Sequence, residues 1–305
     1  MEIILLKMIK RIFIALLMSS ALFVSYSCDK NTVAGDDDEY DPLNRGEKVE
    51  PSIKPGDNTN YYPKAAGSMR IMSYNVGAFN KFMESSTANI ATIAAMIKEV
   101  EADVVGLNEL DSCNTRHKNN QVAALAQELG SWTWYFGKAM NYKGGSYGNG
   151  VVVPKGTTII DKYYVTLPPT SKEGSEQRSI AVVETDKYVI GAAHMEGSAL
   201  NQVAVVNEWV EKNYKDYHKP VFFVGDMNAV VGSEHITALE TKFTIISNAQ
   251  NSVPVSNPTR CIDYVFHYKK SAPVQVTGSA TMTMFRTGDP KVTSDHLPVY
   301  ADVKF

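Results

Sequence analysis

The chain has 305 residues, of which 44% are apolar and 21% charged, a balance that excludes a disordered or fibrous chain and allows a large buried core. Its 30 basic and 33 acidic side chains leave a formal net charge of -3, which disfavours a dedicated nucleic-acid binder, since these carry a basic excess. Three cysteines are too few for a fold built on a disulfide framework.

At the N-terminus, Lys7, Lys10 and Arg11 precede an apolar stretch from Ile12 to Val24, and Ser25-Tyr26-Ser27-Cys28 follows. A basic start, a short apolar segment and small residues before a cysteine form a secretion signal. The stretch is shorter than the roughly 20 residues a spanning helix needs. Ser25, Ser27 and Cys28 resemble the lipobox of bacterial lipoproteins. Residues 1–27 are therefore expected to be a signal peptide and Cys28 the lipidated residue, with ordinary signal cleavage beside an incidental cysteine as the alternative. The expected location is the cell envelope, at the periplasmic or outer-membrane surface. Residues 28–66 include Asp36-Asp-Asp-Glu39, several Pro and Gly, and no apolar period. They read as a disordered acidic tether. From Gly67 onward, 22 basic face 23 acidic residues, so residues 67–305 form a nearly neutral domain.

Within that domain, Arg70 to Asn75 reads as a short apolar strand ending in an amide. Ile90, Ile93, Met96, Ile97 and Val100 recur at helical spacing after Ser85-Ser86-Thr87. A strand over 103–109 arrives at Glu109. Val122, Leu125, Ala126 and Leu129 mark a second helix, followed by strand-like runs at 132–140 and 149–154. Between these runs lies Gly144-Gly-Ser146-Tyr-Gly148, read as a glycine-rich loop. It matches the G-x-S-x-G elbow of serine hydrolases, but that elbow needs a helix after the serine, and a strand follows here. Strands are expected at 158–167, 179–185 and 188–194, the last arriving at His194. Val203, Val206, Trp209 and Val210 mark a third helix. The run Pro220-Val-Phe-Phe-Val-Gly-Asp226-Met-Asn228 is a buried strand whose end carries two polar side chains facing the same way. A short helix over 233–243 precedes strands at 262–268, headed by Asp263, and at 273–285. Ser294-Asp295-His296 introduces the last strand, 297–304. No fixed-period repeat is present. Helices alternating with strands and hairpins predict a layered α/β protein.

Polar residues placed repeatedly at strand ends predict one cleft at a sheet edge. Glu109, Asn75, Asp226, Asn228 and Asp295 offer hard oxygen ligands suited to Mg²⁺, Mn²⁺ or Ca²⁺, one or two ions. His296, with Asp263 to orient it, and His194 suit proton handling. Arg178 suits an anionic substrate. Together these form an inventory for metal-assisted phosphoester hydrolysis. Cys113 and Cys261 each lie within four residues of a site acid, either as a disulfide or as two buried thiols.

In chain order, Ser73-Tyr-Asn75-Val-Gly77, Leu107-Asn-Glu109, Tyr147-Gly-Asn149, Gln177-Arg178, Ala193-His194-Met195, Gly225-Asp226-Met-Asn228, Ile262-Asp263-Tyr264 and Ser294-Asp295-His296-Leu-Pro298 resemble the endonuclease/exonuclease/phosphatase superfamily. The resemblance spans about Ser68 to Phe305. It implies a four-layer α/β/β/α sandwich, with two packed mixed sheets flanked by helices. It implies Glu109 as principal metal ligand, with Asn75 and Asp295 nearby. Asp226 and Asn228 would position water and phosphate, with base duty shared between Asp226 and His296, the latter oriented by Asp263. His194 would stabilise phosphoryl oxygens or assist the leaving group, and Asn149 and Arg178 would line the substrate side. The chain has Ala193-His194-Met195 where the family commonly has Thr-His-Leu, and Met227 where it has Phe or Leu.

The expected partner is a phosphate ester, with a small molecule or lipid headgroup favoured over nucleic acid by the charge balance and the lipid anchor. No obligate protein partner is expected. An extracellular nuclease of the same superfamily and a non-catalytic envelope binding protein are the alternatives.

Overall fold

The computed structural model describes residues 60–79 and 87–305. The signal segment, Cys28 and most of the tether lie outside the described residues. The last tether residues do not: Tyr62 packs its ring 6.1 Å from Phe285 and 6.0 Å from Tyr300. Its hydroxyl accepts hydrogen bonds from the backbone of Thr283 and Met284, and Lys64 reaches Asp103 at 2.8 Å. The docked segment therefore begins before Gly67. A single anchoring aromatic in a polar run has no period to announce it.

Two six-stranded mixed sheets pack face to face. The first runs β11 (Gln275–Thr281), β12 (Val299–Lys304), β1 (Met69–Asn75), β2 (Val104–Ser112), β4 (Gly145–Val153) and β3 (Thr133–Tyr142). The second runs β5 (Ile159–Leu167), β6 (Arg178–Thr185), β7 (Val189–His194), β8 (Val221–Asp226), β10 (Asp263–Tyr268) and β9 (Phe243–Ile245). The two parallel pairs, β1 with β2 and β7 with β8, need long crossovers. Helices α1 (Thr87–Glu99) and α3 (Leu200–Tyr214) supply them. Helix α2 (Gln121–Glu128) joins α1 on the first sheet, α4 (Glu234–Glu240) joins α3 on the second, and α5 (Pro290–Thr293) is a single turn before β12. The fold is the expected α/β/β/α sandwich.

Strand alternation builds the layers. Ile71, Val104, Ala192, Phe222, Val224 and Val265 fill the space between the sheets. Met72, Tyr74, Val105 and Leu107 face α1 and α2, while Val221, Phe223, Tyr264 and Phe266 face α3 and α4. Each such side chain contributes about 1.5–3 kcal/mol on full burial. Across the entry to β1, buried Arg70 forms a two-pronged pair with Asp302 at 2.8 and 2.7 Å and stacks 4.0 Å over Tyr300.

One sequence reading is corrected, and one question left open, the Cys113–Cys261 pairing, is answered. Residues 145–148 are not a glycine-rich loop: β4 begins at Gly145, and β3 and β4 form a hairpin closed by Lys143 and Gly144. The glycines serve close backbone approach, since a Cβ on Gly145 would lie 2.2 Å from the Cys113 carbonyl oxygen, and one on Gly148 2.2 Å from that of Gly137. Ser146 therefore sits in a strand, and the serine-hydrolase elbow is absent. Cys261 is a buried free thiol, so it is not paired with Cys113, and burial pushes it up to about 11.

Candidate active site

The alternation that fills the core carries polar groups to its edge. Ile71-Ser73-Asn75, Val104-Gly106-Asn108, Ile190-Ala192-His194 and Phe222-Val224-Asp226 each run from inter-sheet core to a polar terminus, and Asp263 precedes inward Val265 in the same phase. Both sheets therefore deliver polar side chains to one end of the sandwich. Hydrogen bonds pin the sheets together there. Asn108 Oδ1 accepts from the Asp226 backbone N–H at 3.0 Å, and Asn108 Nδ2 donates to Asn149 at 2.9 Å. Asn75 Nδ2 donates to Asp226 Oδ2 at 3.1 Å and to Glu109 Oε1 at 2.9 Å.

Glu109 reaches the same cleft by breaking the alternation. Between Leu107 and Leu110, both facing the first helical layer, β2 carries one residue more than its partner β4. Glu109 takes φ 58° in that bulge. A bulge re-aims a side chain at the cost of local pairing, and here it sets Asn108 and Glu109 on the site together.

Asp226 is the hub. Its Oδ1 accepts the Asn228 backbone N–H at 2.8 Å. Its Oδ2 lies 3.6 Å from His194 Nε2 and 3.7 Å from His296 Nε2. Burial, followed by the nearby Asp263 carboxylate, raises its affinity for a proton above that of an ordinary aspartate.

The two imidazoles are driven apart. Burial, then the Arg178 guanidinium, lowers His194 to about 4, so the ring is neutral near neutral pH. Arg178 Nη1 stands 3.1 Å from His194 Nδ1, and Asn228 Nδ2 stands 2.9 Å from Nε2. A neutral ring has one N–H and one lone pair. Arg178 and the Asn228 amide nitrogen can both only donate, so the one lone pair of the neutral ring serves one of them. Burial also opposes charge on His296, but Asp263, Asp226 and Asp295 outweigh it and push the ring up to about 10. Its Nδ1 donates to Asp263 Oδ2 at 2.8 Å, and Ser252 Oγ donates to the same oxygen at 2.6 Å. His296 is thus an imidazolium here, with no lone pair left to accept a proton.

A divalent cation fits one part of this cleft better than another. Asp226, Asp263 and His296 bring ligand atoms within 4.8 Å of one another. However, the Asp263–His296 hydrogen bond and the imidazolium leave that ring no lone pair for a metal. Glu109 and Asp226, joined by one amide group of Asn75, present hard oxygens of the kind Mg²⁺ takes. Asp295 is carried alongside, because Ser294 Oγ donates to the Asn75 carbonyl at 2.6 Å. Asn75, expected beside the metal, lies between the Glu109 and Asp226 carboxylates. Its Oδ1 accepts the Gly77 N–H at 3.1 Å, and its Nδ2 faces the carboxylates. Through its nitrogen it holds the two carboxylates together.

Arg178 stands at the site as expected, ion-paired to Glu176 at 3.0 Å and touching His194. Asn149 does not face substrate. It is buried, donating to the Ser179 carbonyl at 2.8 Å and accepting from Asn108, so it ties the sheets together behind the site. Asn108, Ser252 and Tyr147 were not assigned roles from sequence. Asn108 is in phase with Val104 and Gly106, a signal that Glu109 in the opposite phase obscured. Ser252 lies in a loop and has no such signal. Tyr147 has its hydroxyl held strongly protonated by burial and by the nearby Glu109 charge.

A family model described as the Endonuclease/Exonuclease/phosphatase family matches residues 72–296. No curated protein matches the sequence. An endonuclease/exonuclease/phosphatase from Beutenbergia cavernae DSM 12333 superposes with a TM-score of 0.60 at 22% identity, covering 78% of this chain and 72% of that one. The mannosyl-6-phosphatase of Bacteroides thetaiotaomicron VPI-5482 gives 0.62 at 15% identity, covering 78% of this chain and 100% of that one. D. rerio TDP2 complexed with single-strand DNA product gives 0.56 at 19% identity, covering 78% and 99%. At these identities the likeness is one of fold.

Proposed function

Because the chain belongs to the endonuclease/exonuclease/phosphatase family, whose members hydrolyse phosphoester bonds, we propose that it is a divalent-metal-dependent phosphoesterase acting on small-molecule or headgroup esters in the cell envelope. The observation that carries this reading is the setting of Asp226: a buried carboxylate of raised proton affinity, between a neutral and a charged imidazole and one amide away from Glu109. Such a group takes a proton from water as the water attacks phosphorus. Arg178 and His194 stabilise the phosphoryl oxygens, and the His296 imidazolium returns a proton to the leaving alcohol as the P–O bond breaks. Glu109, Asp226 and Asp295 would hold the cation, which supplies Lewis-acid polarisation of the phosphoryl group when bound.

The near-neutral domain charge supports small esters over nucleic acid. Solved neighbours named for a mannosyl-6-phosphatase and for a complex with single-strand DNA product show that the fold alone does not choose. The sequence at Cys28 supports lipid anchoring. Assays with Mg²⁺ on headgroup esters, sugar phosphates and DNA, each repeated with EDTA and with Asp226→Ala, test the reading. Ester turnover lost under both treatments is expected. Activity surviving both would place the chemistry elsewhere, and cleavage of DNA alone would overturn the substrate class.

A further inference from the structure

Arg178, the guanidinium that meets the phosphoryl oxygens in the reading above, already has an anionic partner. Glu176 Oε2 stands 3.0 Å from Arg178 Nη2, and Glu176 takes no part in the chemistry so far. Its place is built by its neighbours. The Glu176 backbone N–H donates to Glu196 Oε1 at 2.7 Å, and Ser175 Oγ donates to Glu196 Oε2 at 2.6 Å. Glu196 lies two residues past His194, so the strand that delivers the imidazole also fixes Glu176. On the other side, Gln177 Nε2 donates to the Ala139 carbonyl of β3 at 2.6 Å. Ser175, Glu176 and Gln177 are thus tied to both sheets. The Glu176 side chain is nevertheless 42% exposed, against 12% for Arg178, and an ion pair open to solvent stabilises a fold little. A firmly held backbone therefore presents a carboxylate to Arg178 that a phosphate, able to take the guanidinium in a two-pronged pair, can displace.

Resting on the phosphoesterase reading, we propose that Glu176 is a specificity-determining residue, which opposes a second negative charge on the substrate phosphate and so biases the cleft toward esters that carry one. The His296 charge is matched to Asp263, which leaves Arg178 as the side-chain cation free to meet the phosphate, and Glu176 offsets it. A phosphodiester has a single negative charge, whereas a phosphomonoester gains a second near pH 6. That second charge meets a carboxylate already seated on the guanidinium. Selectivity of this kind comes from a repulsive group set against the wrong ligand. The filter reads the charge at phosphorus and is indifferent to the alcohol. It also differs in sign from a role in holding Arg178 for His194. Loss of a mere support damages every substrate alike, whereas loss of a filter favours the one it opposed.

The test uses phenyl phosphate and methyl phenyl phosphate, which release the same phenol and differ by one charge above pH 6. At pH 8 with Mg²⁺, Glu176→Gln is expected to shift the ratio of monoester to diester kcat/KM at least fivefold toward the monoester, chiefly through KM. Glu176→Asp, which keeps the charge, should hold the wild-type ratio within twofold. From pH 5 to 8 the wild-type ratio should fall as the monoester gains its second charge, and the Glu176→Gln ratio should fall at least threefold less; the ratio cancels titrations of the enzyme itself. Equal loss on both esters in Glu176→Gln, or an unchanged ratio, overturns the filter. A second measurement separates it from the parent reading: binding of inorganic phosphate and of dimethyl phosphate at pH 8 with Mg²⁺, followed by the Arg178 Nε–H NMR signal. If wild type turns over neither ester, yet Glu176→Gln tightens inorganic phosphate at least fivefold relative to dimethyl phosphate, the phosphoesterase reading fails and the filter stands. If wild type is active and Glu176→Gln alters neither the kinetic nor the binding ratio, the filter fails alone. An inactive wild type with an unchanged binding ratio overturns both.

Discussion

Asp226 and Asp263 stand directly opposite one another in the antiparallel register of β8 and β10, two buried acids on one face of a sheet. Like charges so placed destabilise a sheet. His296 resolves the conflict, with Nδ1 2.8 Å from Asp263 and Nε2 3.7 Å from Asp226. The pair is thereby a charge-compensated unit, and the imidazolium is as much a part of the fold as of the chemistry.

Removing that ring should expose the conflict. His296→Asn is expected to cost about 3–5 kcal/mol in urea unfolding with EDTA present, as breaking a buried pair does. It should also lower kcat by about 10²-fold or more. Adding Asp226→Asn should recover part of the stability but none of the activity. Strict additivity of the two stability changes, within about 0.5 kcal/mol, would mean that His296 does not mediate between the acids.

Asn108 makes a separable prediction, because it touches Asp226 only through the backbone. Asn108→Ala strands the Asp226 N–H and half of Asn149, and should cost about 1–3 kcal/mol. It should also lower kcat while leaving the pH profile in place, since no titrating group is removed. Asn149→Ala should cost a similar amount, and the double variant less than the sum. A shifted pH optimum for Asn108→Ala would contradict the purely positional role.

Much of this site was legible in the sequence because its residues extend the core's own alternation. Phe222-Val224-Asp226 and Ile190-Ala192-His194 read in phase as they stand. What alternation cannot show is a change of phase: the bulge at Glu109 hid Asn108 behind it. Nor does it show which end of an amide faces inward: at Asn75 the nitrogen meets the carboxylates and the oxygen takes the Gly77 N–H. Asn149 and the glycines around it were misread for a related reason. Glycine signals a loop in one dimension, but in β4 it marks where two backbones must nearly touch.

The two histidines predict a stability maximum. His194, lowered to about 4, stays neutral in the fold while the unfolded ring, near 6.5, takes up a proton. Its contribution is present above pH 6.5 and is lost as pH falls toward 4. His296, raised to about 10, contributes fully below pH 6.5 and loses that contribution as pH rises through 10. Together they favour a maximum near pH 6.5 in the metal-free protein, with limbs of a few kcal/mol. Urea titrations from pH 4 to 10 should show it, with His194→Gln flattening the acid limb and His296→Gln the alkaline one. A profile unchanged by either substitution would place these protons elsewhere.

Glu109 provides the sharpest test of where a cation sits. If it is a ligand together with Asp226 and Asp295, Glu109→Gln keeps the Asn75 hydrogen bond and the bulge but removes one of the carboxylate charges facing the ion. The thermal stabilisation that Mg²⁺ gives wild type, which follows the ratio of ion concentration to its dissociation constant, should then need at least tenfold more Mg²⁺. Without metal, Glu109→Gln should be as stable as wild type or more so, because the carboxylates that crowd Asn75 lose one charge. Asp263→Asn should behave in the opposite way, losing metal-free stability through His296 while keeping its Mg²⁺ response. If instead Asp263→Asn abolishes the Mg²⁺ shift and Glu109→Gln spares it, the ion belongs with Asp226, Asp263 and His296, and His296 must give up its proton to the solvent when the metal enters.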